Sequence, residues 1–190
     1  MKVVIDTSSL LSLVRYYLPF DAESKLYNLV RQEIKNHNII IIDEVLNECK
    51  YVSGKLVTRK LDFLVDKEFT KTFKIPTKTK DIIPPSPTKF YNLVDNTFIT
   101  SNAKRLNSAQ FEQQKKEFLE SADARMIIYL LNEISKNSFE RLVLITEETE
   151  GSNDQKAFKK IPAICKILNI EVKALPDLLD LYSDINIKFE

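Results

Sequence analysis

Lys2-Val-Val-Ile-Asp6-Thr-Ser-Ser-Leu10 opens the chain. Three consecutive aliphatic side chains leave no polar face, so the run suits a strand covered on both sides, as in parallel sheets. An acid closes it, and apolar residues then return at helical spacing from Thr7 to Tyr17. The same pattern recurs downstream. Ile39 to Ile42 is four isoleucines in a row, followed by Asp43 as the expected N-cap of a helix running to about Val52. Leu142 to Ile145 is a third strand, ending at Thr146, and Ile170 to Ala174 a fourth. Amphipathic helices lie between them. Leu26, Leu29, Val30 and Ile34 stripe one face of Ala22–Lys35, and a 3.6-residue period runs from Ala109 to Ile134. Ala157, Phe158, Ile161, Ile164, Cys165 and Leu168 share a further helical face, with Pro162 at a first helical turn or a kink, and Pro176 to Tyr182 is a short last helix, followed by an edge strand near Ile185–Phe189. Strands alternating with helices predict an α/β fold. The expected form is a three-layer α/β/α sandwich with a mainly parallel central sheet.

Residues 53–107 depart from the pattern. Lys55 to Asp66 reads as helical, but Pro76, Pro84, Pro85 and Pro87 exclude long regular elements after it. The stretch is expected to be a helical insertion, with a short helix near Thr88–Asp95, inside one domain spanning 1–190. From Lys50 to Lys80 there are nine Lys or Arg against three acids, a local charge of +6 in a chain whose net charge is +1. Lys55, Arg59, Lys60 and Lys67 are the candidates there for phosphate contact. A solvated helix face is the plainer explanation of such a run.

Composition excludes several chemistries. There are two glycines, Gly54 and Gly151, which cannot build a Walker loop or a dinucleotide fingerprint. One histidine and two distant cysteines cannot supply the four ligands of a structural zinc site. His37, in a polar Lys-Asn-His-Asn run, is poorly suited to a serine triad. No basic leader with a cleavage site opens the chain, and no run approaches membrane-spanning length. The expectation is a soluble cytoplasmic protein with no membrane partner, whose chemistry falls to carboxylates.

Acids at four places stand out. Asp6 closes the first strand, and Glu147 and Glu148 follow Thr146 at the end of the third. In open parallel sheets ligands bind outside the carboxyl ends of the strands. Met126, Ile127 and Leu130 lie three, four and seven residues after Asp123, so this acid points with a buried stripe, where an unpaired carboxylate is costly. Glu48 sits at the edge of the face marked by Val45, Leu46, Cys49 and Val52. Carboxylates gathered from separate elements repel one another unless cations neutralise them, and oxygen ligands suit magnesium or manganese.

These segments resemble the PIN-domain nucleases in order. Val3-Val-Ile-Asp6-Thr-Ser-Ser-Leu10 resembles their opening strand and helix, and Ile41-Ile-Asp-Glu-Val-Leu-Asn-Glu48 their second motif. Ser121-Ala-Asp123-Ala-Arg-Met-Ile-Ile resembles the third, an aspartate opening an apolar helix. Leu142-Val-Leu-Ile-Thr146-Glu-Glu148 resembles the fourth, although the family shows aspartate where Glu148 stands, often with a further acid or asparagine where Asn153 or Asp154 falls. The resemblance covers Met1 to about Leu175. It implies a magnesium- or manganese-dependent endoribonuclease, with Asp6, Glu48, Asp123 and Glu148 as catalytic metal ligands and Thr7 and Thr146 in support. Asp154 is the weaker candidate ligand, because ordering a loop to hold it costs about 1–2 kcal/mol per residue. Many small members of that family are VapC-like toxins held by an antitoxin. RNA, a cognate antitoxin and a second copy of the chain are therefore the partners to consider. The alternative is a catalytically inactive PIN scaffold that binds RNA or protein. A dehalogenase-like phosphatase would need a second aspartate where Ser8 stands, and a phospho-acceptor receiver domain would need paired acids after the first strand.

Overall fold

The aliphatic runs form four strands in a computed structural model, which describes residues 1–136, 140–150 and 156–182. They are β1 (Lys2–Ile5), β2 (Ile39–Ile40), β3 (Leu142–Ile145) and β4 (Glu171–Lys173), ordered β2-β1-β3-β4 with every pairing parallel. Successive side chains of a strand point to opposite faces. Val3, Val4 and Ile5 on β1, and Val143, Leu144 and Ile145 on β3, are all buried, so both faces of the sheet are covered. The fold is the α/β sandwich expected of strands alternating with helices.

The register brings the strand ends level. Ile5 stands opposite Ile145, and Ile145 opposite Lys173, so β1, β3 and β4 reach their carboxyl ends together. Asp6 N donates to Ile145 O at 3.0 Å and Thr146 N to Lys173 O at 3.0 Å, placing Asp6 and Thr146 next to each other on that edge.

Three helices follow the expected strand-to-helix grammar: α1 (Thr7–Ser12), α2 (Lys25–Lys35) and α3 (Asp43–Cys49). After α1 the chain widens into a π-helical turn over Leu13–Tyr17. The four-isoleucine run is divided in use. Ile39 and Ile40 pair with β1, whereas Ile42 pairs in parallel with Thr77 of the insertion. Asp43 differs from its expected role: Ile42 is the N-cap of α3, and the Asp43 carboxylate instead accepts from Thr79 Oγ1 at 2.6 Å and from Thr79 N at 3.1 Å. It clamps the returning insertion to the end of β2.

The insertion holds α4 (Leu56–Lys60), α5 (Lys67–Thr72) and α6 (Pro87–Asn96). The helix expected over Lys55–Asp66 is broken, because Lys55 is left-handed and Leu61 leaves helical geometry before a 3-10 turn at Asp62–Leu64. Val57, Leu61, Leu64, Phe69, Val94 and Phe98 are buried in the same core as the strands, so the insertion folds onto the sheet layers. The long periodic run after it is two helices, α7 (Ser108–Glu120) and α8 (Ala122–Ser135). Ser121 is extended (ψ 158°), and its hydroxyl caps Ala124 N at 3.3 Å. A serine side chain that satisfies the free amides of a new helix competes with continuation of the old one. Helices α9 (Ile161–Leu168) and α10 (Leu175–Leu179) complete the order. The edge strand expected near Ile185–Phe189, and Asp154, lie outside the described residues.

Candidate functional site

Asp6 is 5% exposed and held by hydrogen bonds from Ser8, Ser9 and Thr146. Its Oδ1 accepts from Ser9 N at 2.7 Å and Ser8 Oγ at 3.0 Å, and its Oδ2 from Ser8 Oγ at 2.8 Å and Thr146 Oγ1 at 2.5 Å. The first of these is the N-cap bond of α1; an aspartate after a strand supplies it readily. The last crosses from β1 to β3 and exists only because the register puts residues 6 and 146 side by side. Thr146 is 3% exposed and works in both directions, since its Oγ1 also accepts from Glu148 N at 3.0 Å. Ser8 accepts from Glu147 N at 3.1 Å, a second link between the two strand ends.

Thr7, the first residue of α1, donates from Oγ1 to Glu48 Oε2 at 2.5 Å. That bond draws the exposed carboxylate on α3 towards Asp6. Asp123, in the first turn of α8, is half-buried. Burial pushes its carboxyl up to about 7, helped next by the charges of Glu148 and Glu48, opposed by Lys156, and raised further by Asp6. The field at Asp123 thus registers all three of the other acids. The hydroxyl of Ser9 and Oε2 of Glu148 are buried without hydrogen-bond partners among the described residues.

The two cysteines lie beneath this edge. Burial raises the Cys49 thiol to about 12, with Glu48 contributing and Thr7 opposing. Burial and then the charge of Asp123 raise Cys165 to about 12. Both are free and buried. Thiols kept protonated at neutral pH are poor nucleophiles, so the chemistry of the site rests on its oxygens.

Asp6, Thr7, Glu48, Asp123, Thr146 and Glu148 therefore belong to one region at the carboxyl edge of the sheet. Among the described residues, no group of three or more His, Cys, Asp or Glu is arranged to hold a metal ion as it stands. The model of one family spans nearly all of these elements, matching residues 3–183. The chain belongs to that family. Its description is a domain of unknown function, DUF4411. No curated protein and no solved structure matches the chain. Among the described residues of this DUF4411 chain, no helix is long and apolar enough to cross a membrane.

Sequence reading missed two participants. Ser8 entered it only as a missing aspartate, yet it bonds both carboxylate oxygens of Asp6. The signal was available, since a hydroxyl two residues after a helix-capping aspartate is a common local partner. Lys156 carried no signal, because its place near Asp123 depends on the docking of residues 156–159 against 97–100. Thr100 Oγ1 donates to Lys156 O at 2.7 Å, and Lys159 N to Phe98 O at 2.8 Å. Lys55, Arg59, Lys60 and Lys67 are all exposed and lie apart from the acids in sequence, Lys55 just before α4, Arg59 and Lys60 on it, and Lys67 at the start of α5.

Proposed function

We propose that this DUF4411 protein is a divalent-metal-dependent endoribonuclease, with Asp6, Glu48, Asp123 and Glu148 holding magnesium or manganese. The observation that carries the reading is the electrostatic imbalance at the carboxyl edge: Asp123 feels three neighbouring acids and one opposing lysine. Such a set is unfavourable alone and suits a hard cation. The donor chemistry fits. Every candidate ligand is a carboxylate oxygen, and one of them, Oε2 of Glu148, is buried without a partner among the described residues.

When bound, a divalent ion would supply the Lewis acidity that polarises a phosphodiester and lowers the pKa of an attacking water. The chain's own groups prepare for that. Ser8, Ser9 N and Thr146 hold the Asp6 carboxylate in one orientation, and the Ser8 hydroxyl, whose single proton is shared between the two oxygens, is the donor a cation would displace. Thr7 holds Oε2 of Glu48 and leaves Oε1 available. Burial pushes the Asp123 carboxyl up to about 7, and a cation held beside it would favour its ionised form. Lys156 contributes a positive charge beside this set, suited to an anionic substrate.

RNA as the substrate, and a toxin restrained by an antitoxin as the biological setting, rest on the resemblance of the four motifs to PIN-domain nucleases. The test is cleavage of RNA by the purified chain in manganese, magnesium and EDTA, beside Asp6→Asn. Metal-dependent cleavage lost in a folded Asp6→Asn protein supports the reading. Activity retained by that variant overturns it. Manganese binding without cleavage of any RNA would favour a binding scaffold. Growth arrest on expression, relieved by a co-expressed neighbouring small protein, would support the toxin role.

A further inference from the structure

Two uncommon backbone conformations meet on the surface beside the acids. Leu13–Tyr17 forms a π-helical turn directly after α1, a winding found frequently at functional sites. Ser53, Gly54 and Lys55 have successive φ values of 50°, 63° and 64°. Only the glycine enters that region freely. A serine and a lysine held there on either side of it mark local strain that surrounding contacts must maintain. One hydrogen bond joins the two features, from Arg15 Nη2 to Ser53 Oγ at 2.6 Å. Helix α4 begins at the next residue and packs on the π-turn and on α1 and α3, the helices that carry Thr7 and Glu48.

The side chains around this junction are open. Tyr51 is 82% exposed and Tyr16 is 63% exposed. Tyr51 N donates to Glu48 O at 2.9 Å, so this ring follows the acid-bearing turn of α3 directly. Cations alternate with the rings: Arg15 precedes Tyr16, and Lys55, Arg59 and Lys60 follow Tyr51. The last three form no ion pair among the described residues. Open aromatic faces interleaved with unpaired cations match a strand whose bases are free to stack and whose phosphates need neutralising. The bases of a duplex are already stacked on their neighbours and gain nothing from the rings.

We infer that the surface formed by Arg15, Tyr16, Tyr51, Lys55 and Arg59 is a platform for an unpaired nucleic-acid strand, with bases on the tyrosines and phosphates on the cations. The inference deepens the nuclease reading and rests on it for the link to cleavage, while its binding half stands separately. The Arg15–Ser53 bond holds the two tyrosine-bearing segments together, and the packing of α4 sets the platform beside the acid edge.

Binding of the full chain to a labelled RNA without self-pairing, and to the same RNA annealed to its complement, tests this by fluorescence anisotropy in EDTA. Tyr16→Ala with Tyr51→Ala is expected to weaken single-strand binding roughly ten-fold or more. Duplex affinity and the slope against salt stay unchanged. Tyr51→Phe, which keeps the ring, retains binding. Lys55→Ala with Arg59→Ala instead flattens the salt slope, by about 0.7 per cation. Circular dichroism and thermal melting establish that each variant is folded. Unchanged single-strand affinity in the folded tyrosine variant overturns the platform, as does equal loss on the duplex or absence of RNA binding by the wild type. Ring-dependent binding without any cleavage in manganese upholds the platform and overturns the nuclease. Cleavage and binding indifferent to the rings does the reverse.

Discussion

The two ends of the same four strands treat charge in opposite ways. At the amino end, Lys2 Nζ lies 2.7 Å from Glu140, and Arg141 forks onto Glu171 with Nε at 2.8 Å and Nη2 at 2.5 Å. Each of these four charges has an opposite partner. At the carboxyl end, Asp6, Glu48, Asp123 and Glu148 share a region with Lys156 as the opposing charge. The pKa shifts follow. Hydrogen bonding to Arg141 lowers Glu171, whereas burial and like charges raise Asp123 to about 7. Paired charges at a strand end are ordinary surface chemistry. Like charges gathered at the other end, beside a network of hydroxyls, are unfavourable for the fold on their own, which makes this end the candidate site.

The sharpest way to break this contrast is Asp6→Asn. It removes a central carboxylate while keeping the cap on α1 and the shape of the side chain. Manganese-dependent RNA cleavage should fall by more than about a hundred-fold, as read by single-turnover assays. Thr146→Val comes next. It deletes the donor to Asp6 and the acceptor for Glu148 N without changing volume, and should cost about ten- to a hundred-fold in activity and about 1–3 kcal/mol in denaturant stability.

The opposite pKa shifts predict opposite pH dependence. Asp123 has a folded pKa above its unfolded value of 3.8. Between about pH 4 and 7 the metal-free folded state holds a proton that the unfolded chain has lost, so stability falls as pH rises through that window. The full shift would correspond to no more than about 4 kcal/mol, reduced by the partial exposure of the group. Asp123→Asn should therefore be more stable than the wild type at pH 8 without metal, and the gap should close as pH falls towards 4. A pH-independent difference would mean that the carboxyl is not strained. Glu171 runs the other way: its lowered pKa gives stability above the ordinary carboxylate range that is lost as pH falls through the folded value. Arg141→Gln should leave cleavage unchanged and move the melting temperature least of all, because exposed ion pairs contribute little.

Much of this was legible in the residues. Aliphatic runs with helices between them bury both strand faces in a parallel sheet, and β1, β2 and β3 lie within such runs, whereas β4, Glu-Val-Lys and half-buried, lies in the less uniform stretch Ile170 to Ala174. Asp6, Glu148 and Asp123 were legible from their places after strands or within an apolar helical stripe. Other features were not. The break at Ser121 is hidden because apolar periodicity persists across it, while a single hydroxyl decides where one helix ends. The π-turn after α1 leaves no mark in a window of ordinary helical spacing. Asp43 read as a cap because its true partner, Thr79, is 36 residues away.

The sequence by itself determined the element types, their alternation and the residue chemistry available, since these follow from local side-chain patterning within a few turns or one strand. Only the tertiary structure decided which oxygens meet. Strand register set Thr146 against Asp6 across 140 residues, helix packing brought Glu48 to Thr7 across 41, and a returning segment carried Lys156 to Asp123. Those distances are fixed by how the strands align and how the core closes, and no local pattern encodes an alignment between segments that have not yet met.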